Sequence, residues 1–410
     1  MKRTATAALL TVLVVASAGT TAAAAAATST QGSGAVSEAQ SGSAYAGTHV
    51  QFDVRQNAVA NYRVGGDTAL DSVKVQSESA TDGGIGVDVG VDLSAVTSIA
   101  GSALSMQTSA NAQAEIAAEG SASMTAHDND HGILVVEAGG NNQVVVANVS
   151  EGATAESESD SQVEVTTANG TQGTFVVVGN GSVTVNEDGD VSARLESDSR
   201  LVFRAYPEEK SSEDEQTEEY IASGTATGEV YVEQQDGEMV TDTVTYSQQT
   251  AIAAEQAAED TVRVTVNRTR ERGKIVVTSV SEAAVGTVSN IDVTVDGEAA
   301  VEASSYSEVE GAIGGDTSRY MVKQSSSASS KAKVYVALNH FSKRTIEMTG
   351  SETTETTQGT TSETTTAETT AADTTESGGD GGETGGGAPG FGLGTALVAV
   401  LGAALYALRQ

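Results

Sequence analysis

TFVVVGNGSVTVNEDGDVSARLESDSRLVF, residues 174–203, decides the fold. Short Val-rich segments are separated by turn signals at Asn180-Gly181 and Asp188-Gly189, which predicts three or four short antiparallel strands. Val is β-branched and stiff at χ1, so it suits a pleated strand and makes a mediocre helix. The same bias extends outward in both directions: residues 46–348 hold 44 Val against 7 Leu. Period-two alternation recurs at Ile85, Val87, Val89, Val91 and Leu93, at Val163 and Val165, and at Val183 and Val185. It returns at Val262, Val264 and Val266, at Val293 and Val295, and at Ala332, Val334, Val336 and Leu338. Each such stretch predicts a strand with one polar, often acidic, face.

Asp236-Gly237 and Asp296-Gly297 predict two further hairpins. The apolar runs 133–136, 144–146 and 175–178 predict strands buried on both faces, as stacked sheets require. The expected fold is therefore all-β, with antiparallel hairpin and meander sheets in a sandwich-like stack and a β-solenoid as the alternative. Two stretches are ambiguous. In residues 94–120 Ser94 could cap a helix, but the alternation of Ala110, Ala112, Ala114, Ile116 and Ala118 favours a strand with a small-residue face. Residues 248–260, rich in Ala and Glu, predict a helix. Pro207 opens PEEKSSEDEQTEE, with seven acids and one Lys, which reads as a solvated loop over 207–220 dividing a β-rich body into residues 46–206 and 221–348.

The 410 residues include 56 Asp plus Glu against 21 Lys plus Arg, a formal net charge of -35, and no cysteine. Such a polyanion is repelled by phosphate backbone, which excludes nucleic acid as the partner. The absence of Cys excludes disulfides, thiolate metal sites and a Cys nucleophile. His127-Asp128-Asn129-Asp130-His131 offers candidate metal ligands in His127, Asp128, Asp130 and His131, since imidazole and carboxylate together suit a divalent cation. Its spacing matches neither an EF-hand loop nor the helical zinc motif, so the competing reading is a polar turn before a strand at Ile133. The acidic stretch 208–219 could gather cations weakly. No nucleophile elbow, zinc-protease motif or P-loop is present, and the formal G-x-G-x-x-G over 385–390 follows no strand. The sequence thus predicts no catalytic residue and no cofactor, the residual enzymatic reading being a triad that uses His49 or His340. Four sequons, at Asn148, Asn169, Asn180 and Asn267, fall at predicted strand ends or turns and are N-glycosylation candidates.

Both ends carry targeting signals. Residues 1–27 read as a secretory signal, with Lys2 and Arg3 before the apolar stretch 7–16 and an alanine run at 22–27; residues 28–45 read as a linker. Residues 349–388 are rich in Thr, Glu and Gly and predict a solvated, disordered stalk, whose roughly 38 residues from Ser351 to Ala388 reach at most ~125 Å when extended. Pro389-Gly390-Phe391, an apolar run over 392–408 and the basic Arg409 close the chain, predicting a short transmembrane helix. This order of parts resembles the PGF-CTERM sorting signal of archaeal, especially haloarchaeal, surface glycoproteins, over about 22 residues plus the character of the stalk. The resemblance implies processing by an archaeosortase, which removes the apolar tail and leaves a lipid-anchored chain, in the manner of a GPI signal.

The expected partners are the membrane through this anchor, archaeosortase and the glycosylation machinery during maturation, hydrated cations at high salt, and other surface proteins. The expected role is that of an acidic, halophilic glycoprotein held on the outer face of the plasma membrane, structural or S-layer-associated. A surface adhesin or ligand-binding module is the alternative, and a secreted hydrolase the third reading.

Overall fold

A computed structural model describes residues 42–80, 92–110, 112–235, 237–270, 272–324 and 330–351. The signal, residues 28–41 of the expected linker, the alternating stretch 85–91, the stalk from residue 352 and the Pro389-Gly390-Phe391 motif with its apolar tail lie outside the described residues, while residues 43–45, expected as linker, belong to the first strand. No helix among the described residues is long and apolar enough to cross a membrane.

The chain first forms strands β1 (Ser43–Ala46), β2 (Val50–Val54), β3 (Val59–Val64), β4 (Asp67–Ser77), β5 (Leu104–Ala110), β6 (Gln113–Ala118), β7 (Ser123–His127) and β8 (Leu134–Glu137). It continues through β9 (Gln143–Val149), β10 (Thr154–Ser159), β11 (Gln162–Thr166), β12 (Gln172–Val178), β13 (Gly181–Val185), β14 (Val191–Leu195) and β15 (Arg200–Tyr206). Helix α1 (Ser212–Ala222) leads to β16 (Ala226–Gln235), β17 (Glu238–Thr245), β18 (Thr250–Ala258), β19 (Thr261–Arg268), β20 (Arg272–Ser281) and the short helix α2 (Glu282–Val285). The strands β21 (Ile291–Val295), β22 (Glu298–Ala299) and β23 (Val301–Glu302), helix α3 (Tyr306–Gly311), and β24 (Arg319–Gln324), β25 (Lys331–His340) and β26 (Lys343–Gly350) complete it.

Four sheets result, which we call A to D. Sheet A has the order β1-β2-β3-β4-β9-β14-β13 and sheet B the order β10-β11-β12-β15-β8-β7-β6-β5, both antiparallel throughout. Sheet C, β17-β16-β20-β25-β24-β23, is mixed, because β16 runs parallel to β20 and β23 to β24. Sheet D, β18-β19-β26-β21-β22, is antiparallel.

The cores show how these sheets stack. One core joins A to B through Val73, Val145, Phe175 and Phe203, and another joins C to D through Val230, Val264, Val334 and Ile346. A third lies between B and C, where Val135, Val176 and Val202 meet Tyr231, Ile275, Tyr335 and Ala337, with Tyr220 and Ile221 of α1. The body is thus two β-sandwiches laid face to face, four layers deep, and the sandwich expectation holds. The runs 133–136 and 175–178 are buried on both faces because sheet B is an inner layer. In β9, Val145 and Ala147 face the A–B core, while Val144 and Val146 are covered on the outer face by Leu93, Val96 and Ile99.

Four sequence expectations need correcting. Residues 174–203 are not one meander: β12 pairs with β15 in sheet B, while β13 and β14 form a hairpin in sheet A. Asn180-Gly181 therefore links layers, letting Val177 and Val183 point into the same core from opposite sheets. Residues 248–260 form an edge strand, β18, and not a helix; pairing with β19 and contact of Ile252 and Ala254 with the C–D core outweigh Ala's helix preference of a few tenths of a kcal/mol per residue. The segment 207–220 is not a loop. Ser211 and Asp214 form a capping box, three acids occupy the first turn of α1 where the helix dipole favours them, and Thr217, Glu218, Tyr220 and Ile221 are buried. Finally β25 has no wet face along its middle, because sheet C is also an inner layer and Tyr335 and Ala337 face sheet B. Sheets A and B are built from β1 to β15 and sheets C and D from β16 to β26, and both sandwiches belong to one compact unit. The strand reading holds over Gln113–Ala118, where Ala114, Ile116 and Ala118 are buried, but Ala110 ends the preceding strand and pairs with Gln113 across a turn, and it is Asp92, not Ser94, that caps the short 3-10 turn Leu93–Ala95. Both Asp-Gly hairpins form, with Gln235 opposite Glu238 and Val295 opposite Glu298.

Candidate functional site

Period two puts Leu201, Phe203 and Ala205 of β15 into the A–B core and turns Arg204 toward sheet C. In β16 it puts Val230 and Val232 into the C–D core and turns Glu229, Tyr231 and Glu233 toward sheet B. Two polar strand faces therefore meet, and their charges pair. Arg204, with no exposed surface, donates through Nη1 to Glu229 and to Tyr246 Oη (3.3 Å), and through Nε to Tyr206 Oη (3.2 Å). Glu229 also accepts from Tyr246 and from Tyr231 Oη (2.7 Å). Burial pushes the Glu229 carboxyl up, and the Arg204 guanidinium more than offsets this, holding it below its usual range. Burial likewise opposes the charge on Arg204, and Glu229 overcomes it, raising that pKa further.

Around this pair the seam continues. Tyr206 donates to Glu218 of α1, Lys210 bridges Glu218 (2.8 Å) and Glu164 (2.5 Å), and Lys333 of β25 holds Asp214 at 2.6 Å. Burial favours neutral Asp214, but Lys333 and then His131 hold its carboxyl well below the usual range.

The segment His127-Asp128-Asn129-Asp130-His131 runs from the end of β7 into the turn before β8; His127, Asp128 and Asn129 are buried where a surface turn would be wet, and Asp130 and His131 are half-buried. His127 Nδ1 lies 2.8 Å from Asp242 of β17, whose carboxylate also accepts from Asn129 Nδ2 (2.7 Å) and Gln113 Nε2 (2.7 Å). Asp128 accepts the backbone N–H groups of Thr48, His49 and Val50, each at 2.7 Å, and Gly47 leaves no room for a Cβ beside that carboxylate. Asp130 binds Lys331 at 3.1 Å, and Lys331 binds Glu233 at 2.6 Å. His131 stands between Asp130 (4.0 Å) and Asp214 (3.8 Å), with its ring edge-on to Tyr206 and Tyr231. Burial pushes the His131 pKa down despite Asp130.

The four candidate metal ligands thus turn to four different partners. Among the described residues no group of three or more His, Asp or Glu is arranged to hold a metal, and the cationic places beside Asp130 and Asp214 are taken by Lys331 and Lys333. Of the other histidines, His49 Nε2 lies 3.5 Å from Glu233, and His340 is exposed against Arg344. Sequence reasoning found the segment 127–131 but missed Arg204, Glu229 and Asp242; the signal was there in Arg204 and Glu229, each a charge set among apolar and aromatic residues of a strand. Chemically the seam is a lock. Each buried carboxylate in it meets a cation or several donors, and the two sandwiches are held in one register.

The sequons differ in access. Asn148 is half-buried, donating to Asp190 and accepting from Ser72 Oγ (2.8 Å), and exposed Asn169 donates to Asp67 (2.9 Å). Asn180 and Asn267 are exposed. At the edge of the A–B sandwich, Asp92, Glu158, Asp160, Ser157 and Thr184 line a polar groove of about 400 Å³. Fold and seam define a class: a cysteine-free, four-layer β body locked by buried ion pairs. No protein-family model matches the chain, and no curated protein is similar to it.

Proposed function

We propose that this chain is an exported, membrane-anchored acidic surface glycoprotein whose β body serves a structural role in the cell envelope. The observation that carries the reading is the order of parts at the end of the sequence: Thr- and acid-rich stalk, Pro389-Gly390-Phe391, short apolar run, Arg409. Two features of the body support it. Its seam joins two sandwiches into one unit around the Arg204–Glu229 pair, which salt does not reach, and Val301 is the one exposed large apolar side chain among the described residues. Exposed Asn180 and Asn267 support glycan attachment. Intact-mass analysis of the membrane-extracted protein tests the reading. The expected mass lacks residues 1–27 and the tail from 392 onward, and carries lipid and glycan. A mass that retains residues 392–410 would overturn sortase processing, and one with the amino-terminal signal intact would overturn export.

A further inference from the structure

Lysine and arginine are scarce between residues 42 and 351, where 18 face 47 Asp plus Glu, yet six of the 18 gather at one end of sheets C and D. The β19–β20 connection carries Arg268, Arg270, Arg272 and Lys274, and the β25–β26 turn carries Lys343 and Arg344. Register brings the two together: Asn267 lies opposite Lys343, Arg272 lies opposite His340, and the Arg268 N–H donates to Ser342 O at 3.2 Å.

This basic knob is poorly neutralised within the chain. Arg344 is held by Asp296, but the Arg268 guanidinium stacks on Phe341 and donates to a backbone carbonyl, that of Arg272 (2.8 Å), while its Nε has no acceptor among the described residues. Lys274 also donates to a carbonyl, that of Gly224. Arg270, Arg272 and Lys343 are exposed. Burial, then repulsion from neighbouring arginines, lowers the pKa of both Arg268 and Lys274. The like charges therefore crowd one another in the free chain, and a bound anion would relieve that.

We propose that the knob docks on the acidic edge of a second copy of this chain, at the groove beside Glu158 and Asp160. The groove and the knob belong to different sandwiches of one packed body, so a knob meets such a groove only on a neighbour. The groove carries Asp92, Glu158 and Asp160 among hydroxyls of Ser157 and Thr184, which matches forked guanidinium donors in charge and hydrogen bonding. Asn267 projects from the outer face of β19 and Arg268 from its other side, so a glycan at that sequon leaves the knob open. The contact joins unlike surfaces, so it is heterologous and propagates into rows of copies. It deepens the envelope reading by naming a neighbour, and rests on that reading only for its biological setting.

Sedimentation of the full chain in non-ionic detergent, at about 1 M salt to screen the repulsion between whole molecules, tests it. The parent is expected to self-associate with concentration. R270E/R272E/K343E should weaken association at least tenfold, as should E158K/D160K, with circular dichroism unchanged because all five side chains are exposed. R270A/R272A/K343A should weaken it less and in the same direction. Combining both charge reversals in one chain should restore assembly, as should mixing the two reversed chains. A parent that stays monomeric, a knob reversal that assembles like the parent, or a combined reversal no better than its components would each overturn the proposal. So would knob-dependent binding to phosphatidylglycerol vesicles without self-association, which would make an anionic lipid surface the partner. None of these failures would bear on anchoring, which the intact mass reads separately.

Discussion

Arg204→Met removes the guanidinium from a place with no solvent and leaves the Glu229 carboxylate buried opposite an apolar side chain. Breaking a buried pair from one side costs about 3–5 kcal/mol, because the remaining charge keeps its desolvation penalty and loses its partner. For about 300 folded residues the unfolding entropy is roughly 0.6 kcal/mol/K, so Tm should fall by about 5–8 °C. Glu229→Gln keeps an acceptor for Tyr231 and Tyr246 but strands Arg204, and should cost a similar amount. The double variant R204M/E229Q carries neither charge, so its cost should fall short of the sum by at least about 2 kcal/mol. Urea is the suitable denaturant, since guanidinium salt would also screen the exposed carboxylates and so change stability for a reason unrelated to the pair.

A second readout follows from the sign of the shift. In the parent the Glu229 pKa is depressed, so its contribution to stability is present above the unfolded value and is lost as pH falls through the folded value. In R204M burial is opposed only by the Tyr231 and Tyr246 hydroxyls and by His131, so the folded pKa should rise and the parent's loss of stability on acidification should shrink. Additive single effects, a cost below about 1 kcal/mol for R204M, or an unchanged acid response would each refute the view that the seam is a lock of paired charges.

Asp128→Ala strips the acceptor from three backbone N–H groups and should cost about 3 kcal/mol in urea unfolding, against less than about 0.5 kcal/mol for exposed Asp188→Ala. Burial lowers the His131 pKa, so the unfolded chain takes up a proton first and stability should drop as pH falls below about 6.5. His131→Gln should flatten that part of a Tm-against-pH curve. His49 has the opposite sign: its hydrogen bond to Glu233 raises its pKa, so its contribution is present below about 6.5 and lost as pH rises through the folded value, and His49→Gln should remove it. Glycopeptide mass spectrometry should find Asn180 and Asn267 occupied more fully than Asn148, whose amide is already engaged with Asp190; equal occupancy would show that the folded state does not govern access.

Legibility in the sequence followed distance along the chain. Alternation in Val262, Val264 and Val266 reports a strand because the period is local, and Asp296-Gly297 reports a hairpin because turn geometry is local; there Asp296 and Gly297 both adopt positive φ (54° and 83°). Which sheet a strand joins is not local. Nothing in the Asn180-Gly181 turn says that β12 and β13 lie in different layers; that is settled by the pairing of β12 with β15 and of β14 with β9, where Val191 lies opposite Ala147, 44 residues (191 less 147) earlier. The helix expectation for 248–260 failed for the same reason, since its partner strand decides it. The 127–131 segment stood out by composition, but its partners, Asp242, Lys331 and the backbone at 48–50, come from distant strands. Its chemistry therefore read as a possible ion site when the ions are side chains.

Where the few cations sit predicts how salt should act on the body. Arg204, Lys210, Lys331 and Lys333 serve the B–C seam together with Glu229, Glu218, Glu164, Asp130, Glu233 and Asp214, so between residues 42 and 351 the remaining 14 cations (18 less 4) still face 41 acids (47 less 6), and that excess lies outside the seam. Screening reaches about 10 Å at 0.1 M and about 3 Å at 1 M salt, so dilution restores repulsion among exposed carboxylates and leaves the buried pairs nearly unchanged. Tm should therefore rise with potassium chloride from about 0.1 to 1 M, and neutralising exposed acids, as in E151Q/E156Q/E158Q, should lessen that slope without altering the high-salt value. R204M, by contrast, should lower Tm by the same amount at every salt concentration, since its lost partner lies where mobile ions do not enter. If salt instead rescued R204M and left the parent's Tm flat, the division between a salt-blind seam and a salt-dependent surface would be wrong, and the acidic faces would have no part in holding the body folded.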